Sequence, residues 1–267
     1  MEISGGHTWS SITPALGGFH TCGITTAGDG YCWGNNQFNQ LASGLPASSV
    51  VPVEISGGNV WASITAGAVH NCGITTGGDG YCWGNRALSQ IGDGKTTDSS
   101  VPREVSGNHT WASINAGDGH TCGVTTAGDG YCWGYAEFGQ IGDGSTYDGS
   151  PPAINVPVEV SGSRTWSSIN AGYTHTCGVT IADDAYCWGD NTAGQLGNNG
   201  ANIGSNTPNQ VSGGQAWASI TAGGGFTCGV TTAGGGYCWG YNDLGAVGDG
   251  TVTQRATPAE VVTPWAG

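Results

Sequence analysis

The sequence predicts an all-β protein that folds as a β-propeller of five four-stranded blades, with about 50 residues in each repeat. Three observations predict this fold class. One motif recurs five times at nearly constant spacing, each copy contains one pair of cysteines at the same place, and no segment keeps a helical periodicity. We expect the blades to close into a ring rather than an open arc, within a single repeat domain over residues 1–267.

The repeat is defined by two tryptophan motifs. The segment Tyr-Cys-Trp-Gly places its tryptophan at Trp33, Trp83, Trp133, Trp188 and Trp239, with spacings of 50, 50, 55 and 51 residues. An upstream Trp-(Ala/Ser)-Ser-Ile motif begins at Trp9, Trp61, Trp111, Trp166 and Trp217. The predicted blades are therefore residues 7–57, 58–107, 108–162, 163–213 and 214–262. The extra residues near Pro14 and before Pro157 belong in loops.

Within the third repeat, each strand follows from the local pattern. Short alternating segments predict strands at 111–117, 120–125 and 131–134. The segment Thr-Ala-Gly-Asp-Gly at 126–130 predicts a tight turn, because glycine and aspartate accept positive φ angles. A longer polar loop then leads to a predicted fourth strand at 157–160.

Each predicted hairpin contains two cysteines separated by nine residues. If the turn closes the hairpin symmetrically, the two cysteines stand opposite each other, close enough for a cross-strand disulfide. The spacing is not that of a Cys-x-x-Cys redox motif, and a zinc site would need pairs from two blades to converge. The predicted pairs are Cys22 with Cys32, Cys72 with Cys82, Cys122 with Cys132, Cys177 with Cys187, and Cys228 with Cys238.

Compartment and charge narrow the class of protein further. Five disulfides persist only in an oxidising compartment, which predicts an extracellular or cell-surface location, although the N-terminal residues show no signal-peptide pattern. The formal net charge is −14, with only five Lys and Arg residues, so binding to nucleic acid is not expected. No run of 18 apolar residues occurs, so membrane insertion is not expected either.

The combined motif resembles the repeats of the regulator of chromosome condensation family. It consists of His-Thr-Cys-Gly-Val-Thr, five further residues and Tyr-Cys-Trp-Gly, followed by Gly-Gln-Ile-Gly-Asp-Gly at 139–144 or Gly-Gln-Leu-Gly at 194–197. The resemblance extends from Trp9 to Val261 and implies a β-propeller with about one blade per repeat. The cysteines are similar to those of the bacterial secreted branch of the family.

The chain departs from that family in repeat number and in charge. The family commonly has seven repeats, whereas this chain has five. Its best-known member is a nucleotide exchange factor for a small GTPase on chromatin. The acidic charge, the implied disulfides and the lack of a basic tail oppose that activity here.

The sequence gives little support for catalysis, a cofactor or a metal. It contains no Gly-x-Ser-x-Gly elbow and no phosphate loop, and we expect no enzymatic activity. His20, His70, His120 and His175 occupy one repeat position, with Phe226 in the fifth repeat. A metal-binding imidazole ring is one interpretation, and a hydrogen-bonded blade contact is the one we favour. The Gly-Asp-Gly segments lack the alternating acidic ligands of a calcium loop and predict turns.

Variable positions on the constant scaffold are the candidate binding site. The loop after each Cys-Trp-Gly changes from repeat to repeat, and exposed aromatic residues with one arginine have the composition of an interface or a sugar-binding rim. Drift without function explains the same variation equally well. The candidates are Asn35, Phe38, Arg86, Leu88, Tyr135, Phe138, Asp190, Asn191, Tyr241 and Leu244. Asn108 begins a glycosylation acceptor motif, for which a plain surface loop is the alternative.

The chain ends raise a question of assembly. The segment Glu-Ile/Val-Ser, predicted to belong to the fourth strand, has relatives at both termini, as Glu2-Ile3-Ser4 and as Glu260-Val261, so six copies serve five blades. The spare copy either seals the ring or completes a blade of a neighbouring molecule.

Three functions remain open. The first is a non-enzymatic extracellular propeller for protein–protein recognition, without a cofactor. The second is a structural subunit of a surface filament or layer, assembled by terminal strand exchange between copies. The third is a lectin-like propeller that binds carbohydrate.

Overall fold

The computed structural model describes residues 3–44, 48–146, 153–200 and 203–262, and these form an all-β propeller. Five antiparallel sheets of four strands each are present in this part of the chain, and in every sheet the strand order follows the sequence. We number the sheets blades 1 to 5. The strands are β1 (Trp9–Pro14), β2 (His20–Thr25), β3 (Gly30–Gly34) and β4 (Ser49–Glu54) in blade 1; β5 (Trp61–Ala66), β6 (His70–Thr75), β7 (Gly80–Gly84) and β8 (Ser99–Glu104) in blade 2; β9 (Trp111–Ala116), β10 (His120–Thr125), β11 (Gly130–Tyr135) and β12 (Ala153–Glu159) in blade 3; β13 (Trp166–Ala171), β14 (His175–Thr180), β15 (Ala185–Gly189) and β16 (Ser205–Gln210) in blade 4; and β17 (Trp217–Ala222), β18 (Phe226–Thr231), β19 (Gly236–Gly240) and β20 (Arg255–Glu260) in blade 5.

The central hairpin of each blade has the register that the cysteine spacing predicts. In blade 3, Cys122 lies directly opposite Cys132, with a Cα–Cα distance of 4.1 Å. The turn closes through a 2.9 Å bond from the Thr125 amide to the Asp129 carbonyl, and Gly128 takes a φ of 90°. All five predicted cysteine pairs are disulfide-bonded, one in each blade.

In blades 2 to 5, the first-strand tryptophan packs with one edge of its ring against its own blade and with the other edge against the preceding blade. In blade 4, the Trp166 ring lies over Gly178, where a Cβ atom would come within 2.8 Å of the ring. The same ring reaches Gly130 of blade 3, where a Cβ atom would come within 2.6 Å. The Trp166 amide also donates a 2.8 Å hydrogen bond to the Gly128 carbonyl. Each of these four tryptophans, Trp61, Trp111, Trp166 and Trp217, therefore joins two blades.

These contacts build four hydrophobic seams, between blades 1 and 2, 2 and 3, 3 and 4, and 4 and 5. The tryptophans that fill them are 1–3% exposed. The isoleucine three residues further along each of these first strands is 1–5% exposed. The apolar core of the propeller therefore lies between blades.

The expected ring closure between blades 5 and 1 is not shown. Val230 of blade 5 is 44% exposed, whereas the residues at its position in the other blades are 1–4% exposed. Ile12 of blade 1 is also 44% exposed, and Trp9 is only partly buried. In the described part of the chain, the amide bond from a first-strand tryptophan to the preceding turn occurs at four tryptophans and not at Trp9.

The assignment of the Glu-Ile/Val-Ser segment to the fourth strand is wrong except for its first residue. Glu159 ends β12, and Val160 follows it as an anchor that is 2% exposed and donates a 2.8 Å bond to the Gly130 carbonyl. At the N-terminus, Ile3 and Ser4 lie outside any strand, and Glu2 is outside the described residues. The segment anchors the chain after the strand because its apolar residue fits the seam.

The five first strands converge on a cavity of about 140 Å³, which is lined by Thr, Asn, Ala and Leu side chains from all five blades. Neighbouring blades share hydrogen bonds there, such as the 2.9 Å bond from Asn170 Nδ2 to the Ile220 carbonyl. Within the described ranges, the structure has no apolar helix of membrane-spanning length.

Candidate functional site

Nine of the ten candidate binding residues lie on loops at one end of the sheets, and the tenth, Tyr135, ends β11 at the same end. We call this end the loop face. Because the strands are antiparallel, the loop between the first and second strands and the loop between the third and fourth strands emerge at the same end. A backbone bond links the two loops in every blade, as in the 2.9 Å bond from the Tyr135 amide to the Gly119 carbonyl. The scaffold therefore presents ten variable loops together.

The exposed part of the loop face is aromatic and aliphatic. Leu244 is 91% exposed, Tyr241 is 41% exposed and Phe138 is 40% exposed. Phe138 also packs edge-to-face against Tyr135, with ring centroids 6.0 Å apart. Phe19, which is 83% exposed, belongs to the same face, and its variable position before the repeated histidine was the signal that could have added it to the candidates. Asn35, Phe38, Leu88, Tyr135 and Asp190 are partly buried.

Two of the candidates are buried, which corrects the expectation that they are exposed. Arg86 is 2% exposed because its guanidinium pairs with Asp93 through a 2.8 Å Nη1–Oδ1 contact and a 2.9 Å Nη2–Oδ2 bond. Asn191 is 1% exposed, and its Oδ1 accepts a 3.0 Å bond from the Leu196 amide. Both side chains stabilise the conformation of the loop that carries them.

A concave region lies between the loops of blades 3 and 4. Its cavity of about 580 Å³ is lined by residues that include Glu137, Phe138, Asp190, Thr192 and Asn206. One wall is therefore aromatic, and the remainder offers carboxylate, hydroxyl and amide groups. Such a combination suits a polar ligand with one apolar face.

At blade 5 the loop face carries Tyr241, whose phenol loses its proton less readily than a free tyrosine does. The Tyr241 side chain hydrogen-bonds to Asp243, and this bond, together with the negative charge of the carboxylate, raises the pKa of Tyr241 above its usual 10.0. The phenol stays neutral at physiological pH and remains a hydrogen-bond donor.

The repeated histidine belongs to a hydrogen-bonded clamp between blades. At the seam of blades 3 and 4, His120 Nε2 lies 2.8 Å from Thr176 Oγ1, and Thr176 Oγ1 donates a 2.8 Å bond to the Gln140 carbonyl. The same carbonyl accepts a 2.9 Å bond from Trp188 Nε1. Since the hydroxyl proton goes to the carbonyl, Nε2 must donate to the hydroxyl oxygen.

The clamp recurs at all four seams and is incomplete at blade 5. The other histidine contacts are His20 to Asn71, His70 to Thr121 and His175 to Thr227, at 2.7–2.8 Å. In blade 5 the position is Phe226, which cannot donate a hydrogen bond. The sequence analysis expected a hydrogen-bonded blade contact, but it did not identify the partner. The Thr or Asn after each histidine was the signal.

Burial changes the protonation of these histidines. Desolvation lowers the pKa of His70 and of His120 from 6.5 to about 3, and that of His175 to about 4. It also lowers the pKa of His20. The imidazoles are neutral at physiological pH, as their tautomer in the clamp requires.

The repeated aspartates are turn residues. Asp129 closes the hairpin turn, because its amide donates a 3.1 Å bond to Thr125 Oγ1 and its carboxylate lies 3.3 Å from the same hydroxyl. Asp249 pairs with Arg255 and accepts a 3.0 Å bond from the Thr251 amide. Over the described ranges, no group of three or more His, Cys, Asp or Glu residues is arranged to hold a metal ion.

Two other predicted features lie at the surface. Asn108 is exposed, directly after a turn, with a φ of 52°. Glu260 ends β20, and Val261 is 41% exposed beside it.

Comparison with known sequences identifies one repeat. The regulator of chromosome condensation (RCC1) repeat matches residues 27–74, 78–124, 127–179 and 183–230, and a second form of it matches residues 111–140 and 166–195. Each of the four longer matches runs from the hairpin turn of one blade to the second strand of the next, so each includes one seam. A comparison with curated protein sequences gives no significant match.

Solved structures share the fold at low sequence identity. Human WBSCR16 superposes with a TM-score of 0.82 at 20% identity over 92% of this chain, which spans 65% of the human chain. Yeast RCC1 (Prp20), in a structure bound to Kap60, gives a TM-score of 0.59 at 17% identity, covering 95% of this chain and 75% of that one. The ectodomain of the Physcomitrella patens receptor kinase CR4 gives a TM-score of 0.55 at 22% identity, covering 89% of this chain and 52% of that one.

Proposed function

This chain belongs to the regulator of chromosome condensation (RCC1) repeat family, and from that premise we propose that it is a non-enzymatic extracellular propeller that binds a protein partner through its loop face. The observation that supports this most directly is the gathering of Phe19, Phe138, Tyr241 and Leu244 on one face, with 40–91% of each side chain exposed. Aromatic and large apolar side chains at the surface are typical anchors of protein interfaces.

The matched structures support a protein partner for this kind of propeller. Yeast RCC1 (Prp20), which has the same fold at 17% identity, is bound to the protein Kap60 in its structure. Repeat proteins of this family generally act in protein interaction or nucleotide exchange rather than as enzymes. The net charge of −14 favours a partner with a basic surface around an apolar centre.

The proposed location rests on the disulfides. All ten cysteines are paired, and the described chain has no free thiol. Such a set of bonds is stable in an oxidising environment outside the cell, and an extracellular domain of the same fold occurs in the receptor kinase CR4.

Site-specific photo-crosslinking tests the proposal. Benzoylphenylalanine replaces Leu244 in one variant and Ala127, an exposed turn residue at the opposite end of blade 3, in the control. After illumination with the secreted and surface proteins of the source cells, we expect one partner band from position 244 and none from position 127. Equal labelling at both positions would contradict a loop-face site.

Competition makes the test specific. Unlabelled native protein should abolish the crosslink, whereas a double variant with Tyr241→Ser and Leu244→Ser should compete at least about tenfold less well, because interface anchors each contribute more than about 1 kcal/mol. Equal competition by the double variant would exclude these two residues from the site.

A carbohydrate ligand is the second candidate, and the cavity between blades 3 and 4 is the observation that favours it. Phe138 offers a ring for stacking, and Asp190 and Asn206 offer hydrogen-bonding groups in the same cavity. A glycan array probed with the native protein and with Phe138→Ala separates the two candidates. Glycan binding that the substitution abolishes would identify a lectin.

A further inference from the structure

In every blade, the first-strand tryptophan holds a third-strand tyrosine in the same way. The two ring centroids lie 5.8–6.0 Å apart, edge to face, in all five blades. The tyrosine precedes the third-strand cysteine, close to the hairpin turn and at the opposite end of the blade from the loop face. These residues are Tyr31, Tyr81, Tyr131, Tyr186 and Tyr237. The surroundings of five equivalent rings can therefore be compared.

A planar side chain that contains nitrogen covers this tyrosine in three of the blades. His7 and His109 lie over the tyrosines of blades 1 and 3, with ring centroids 4.4 Å and 4.3 Å apart. In blade 4 the Arg164 guanidinium takes this place, with its Cζ 4.1 Å from the centroid of Tyr186. Its Nη1 donates a 3.1 Å hydrogen bond to the Ser161 carbonyl. The covering residue is always the one two before the first-strand tryptophan.

Within the described residues, blade 2 lacks this cover, because the equivalent residue is the shorter Asn59. The difference is visible at the glycine two residues earlier. A Cβ atom at Gly107 of blade 3 would come within 2.5 Å of the His109 side chain, whereas at Gly57 of blade 2 the nearest non-adjacent atom is Asn59 Nδ2, 4.0 Å away. A cavity of about 440 Å³ lies there instead, with Tyr81 in its lining. We call it the blade 2 cavity.

The charge beside the blade 2 cavity favours a cation. Glu104 is exposed and lies directly opposite Tyr81 in the register of β7 and β8, and side chains at such positions share one face of the sheet. Burial, together with the negative charges of Glu104 and Asp79, raises the pKa of Tyr81 above its usual 10.0, so the phenol stays neutral. In blade 4, where Arg164 supplies the cation, the residue opposite the tyrosine is the neutral Gln210.

The covered blades show which group fits the uncovered one. The guanidinium in blade 4 combines stacking on the tyrosine with a hydrogen bond to the carbonyl of Ser161, and the equivalent residue in blade 2, Ser56, lines the cavity. We infer that the blade 2 cavity binds a guanidinium group, presented by an arginine side chain of a protein partner. The group stacks on Tyr81 and neutralises Glu104, and arginine suits both contacts because its planar cation is permanently charged.

Titration of the folded chain with N-acetylarginine amide, followed by protein NMR, tests the inference. The backbone amide signals of Gly57 and Asn59 should shift and saturate together as one site fills. N-acetylcitrulline amide has nearly the same shape without the charge and should bind at least about threefold more weakly. Equal binding of the two probes would overturn the inference, and so would shifts that spread over the acidic surface without saturation.

A substitution at position 59 tests the location of the site. Asn59→Arg supplies a guanidinium from the chain itself, as Arg164 does in blade 4, and should abolish binding of the probe. Asn59→Ser leaves the cavity open and is the matched control, which should bind the probe as the native chain does. Tyr81→Leu should weaken binding at least about threefold, with circular dichroism and a thiol count to verify folding. Unchanged binding in Asn59→Arg would overturn the inference.

The site can also be copied into a second blade. His109→Asn uncovers Tyr131 of blade 3, where Glu159 already lies opposite the tyrosine as Glu104 does in blade 2. This variant should bind two molecules of the probe, and the second should shift the amide signal of Gly107. A variant that still binds one molecule would show that the missing cover does not create the site, and the inference would be wrong.

The inference does not depend on the proposed function, because the blade 2 cavity and the loop face lie at opposite ends of the sheets. Leu244→Ser should lose partner crosslinking and keep binding of the arginine probe. Asn59→Arg should lose the probe and keep crosslinking from position 244, so the two proposals fail independently. Loss of probe binding in Leu244→Ser would place the probe on the loop face and overturn the inference.

Discussion

The four closed seams and the open faces of blades 1 and 5 are built from nearly the same residues, and they differ chiefly in whether a neighbour is present. Ile24, Ile74, Val124 and Val179 are 1–4% exposed, and the equivalent Val230 is 44% exposed. The hairpin register, the turn and the disulfide are nevertheless the same in blade 5 as in blade 3. The secondary structure of a blade is therefore set within the blade, and its burial is set by the next one.

Equivalent residues therefore contribute different amounts to the free energy of folding. A residue in a closed seam contributes hydrophobic free energy because the adjacent blade removes it from water. The same residue on an open face contributes little until a partner binds. Stability in a repeat protein is a sum of repeat terms and neighbour terms, and the open faces of this chain lack one neighbour term.

The largest difference in unfolding free energy between a closed seam and an open face is expected for the first-strand tryptophan. Trp166→Ala removes a side chain that is 2% exposed and fills the seam of blades 3 and 4, so it should cost about 3–5 kcal/mol. Trp9→Ala removes a partly exposed ring and should cost clearly less. Chemical denaturation of the two variants under identical salt and protein concentration measures the difference, and equal losses would show that Trp9 is as buried as Trp166.

The disulfides should be equal in thermodynamic effect and unequal in reactivity. Cys122–Cys132 and Cys228–Cys238 both join residues 10 apart, so replacing either pair by alanine should cost about 2.5–3 kcal/mol through the entropy of the unfolded chain. Cys122 and Cys132 are fully buried, whereas Cys228 is partly exposed.

Timed reduction under native conditions measures this difference. A mild reductant followed by alkylation and mass spectrometry should label Cys228 and Cys238 first, because a reductant must reach the sulfur. Earlier labelling of Cys122 would show that Cys228 is better protected from solvent than Cys122.

The sequence was sufficient for most of the fold. The spacing of Trp33, Trp83 and Trp133 predicted the number of blades, and the cysteine spacing predicted the hairpin register, because both are local and repeated. It could not predict that the Glu-Ile/Val-Ser segment follows its strand, since an apolar residue at a strand end and one just beyond it look alike. Nor did it predict the burial of Arg86, because the pairing with Asp93 depends on how the loop folds.

The contact between blades 5 and 1 could not be decided from the sequence for a different reason. Blades 1 and 5 have the seam residues of the other blades, so the pattern alone favours closure. Whether five blades meet depends on the angle between neighbours, which is a sum of small packing differences over the whole arc. Phe226 was the one local sign that the last seam differs.

The buried histidines of the closed seams should make the stability of the fold depend on pH. His70 and His120 have pKa values of about 3 in the folded state and 6.5 when unfolded, so the folded state binds fewer protons below pH 6.5. Stability is therefore full above about pH 6.5 and falls as the pH drops toward about 3. Each buried histidine contributes a slope of about 1.4 kcal/mol per pH unit in that range.

Two substitutions test whether the histidines of the closed seams cause this pH dependence of stability. His120→Gln keeps an amide for the clamp and cannot titrate, so the slope between pH 6 and pH 4 should decrease by about one proton. Phe226→His adds a histidine to blade 5 at a partly exposed position, where it can be protonated while it stays in contact with water, so the slope should not change. An equal change in both variants would contradict the distinction between closed and open seams.

The smallest difference in unfolding free energy is expected for the clamp hydroxyl. It tests the comparison of closed and open seams at a single hydrogen bond. Thr176 is fully buried, donates to the Gln140 carbonyl and accepts from His120, so Thr176→Val should cost about 1 kcal/mol. Thr21 has the same position in blade 1, where no preceding blade supplies a histidine, so Thr21→Val should have almost no effect on the monomer. Chemical denaturation of the two variants measures the difference, and equal losses would show that Thr21 takes part in a clamp of its own.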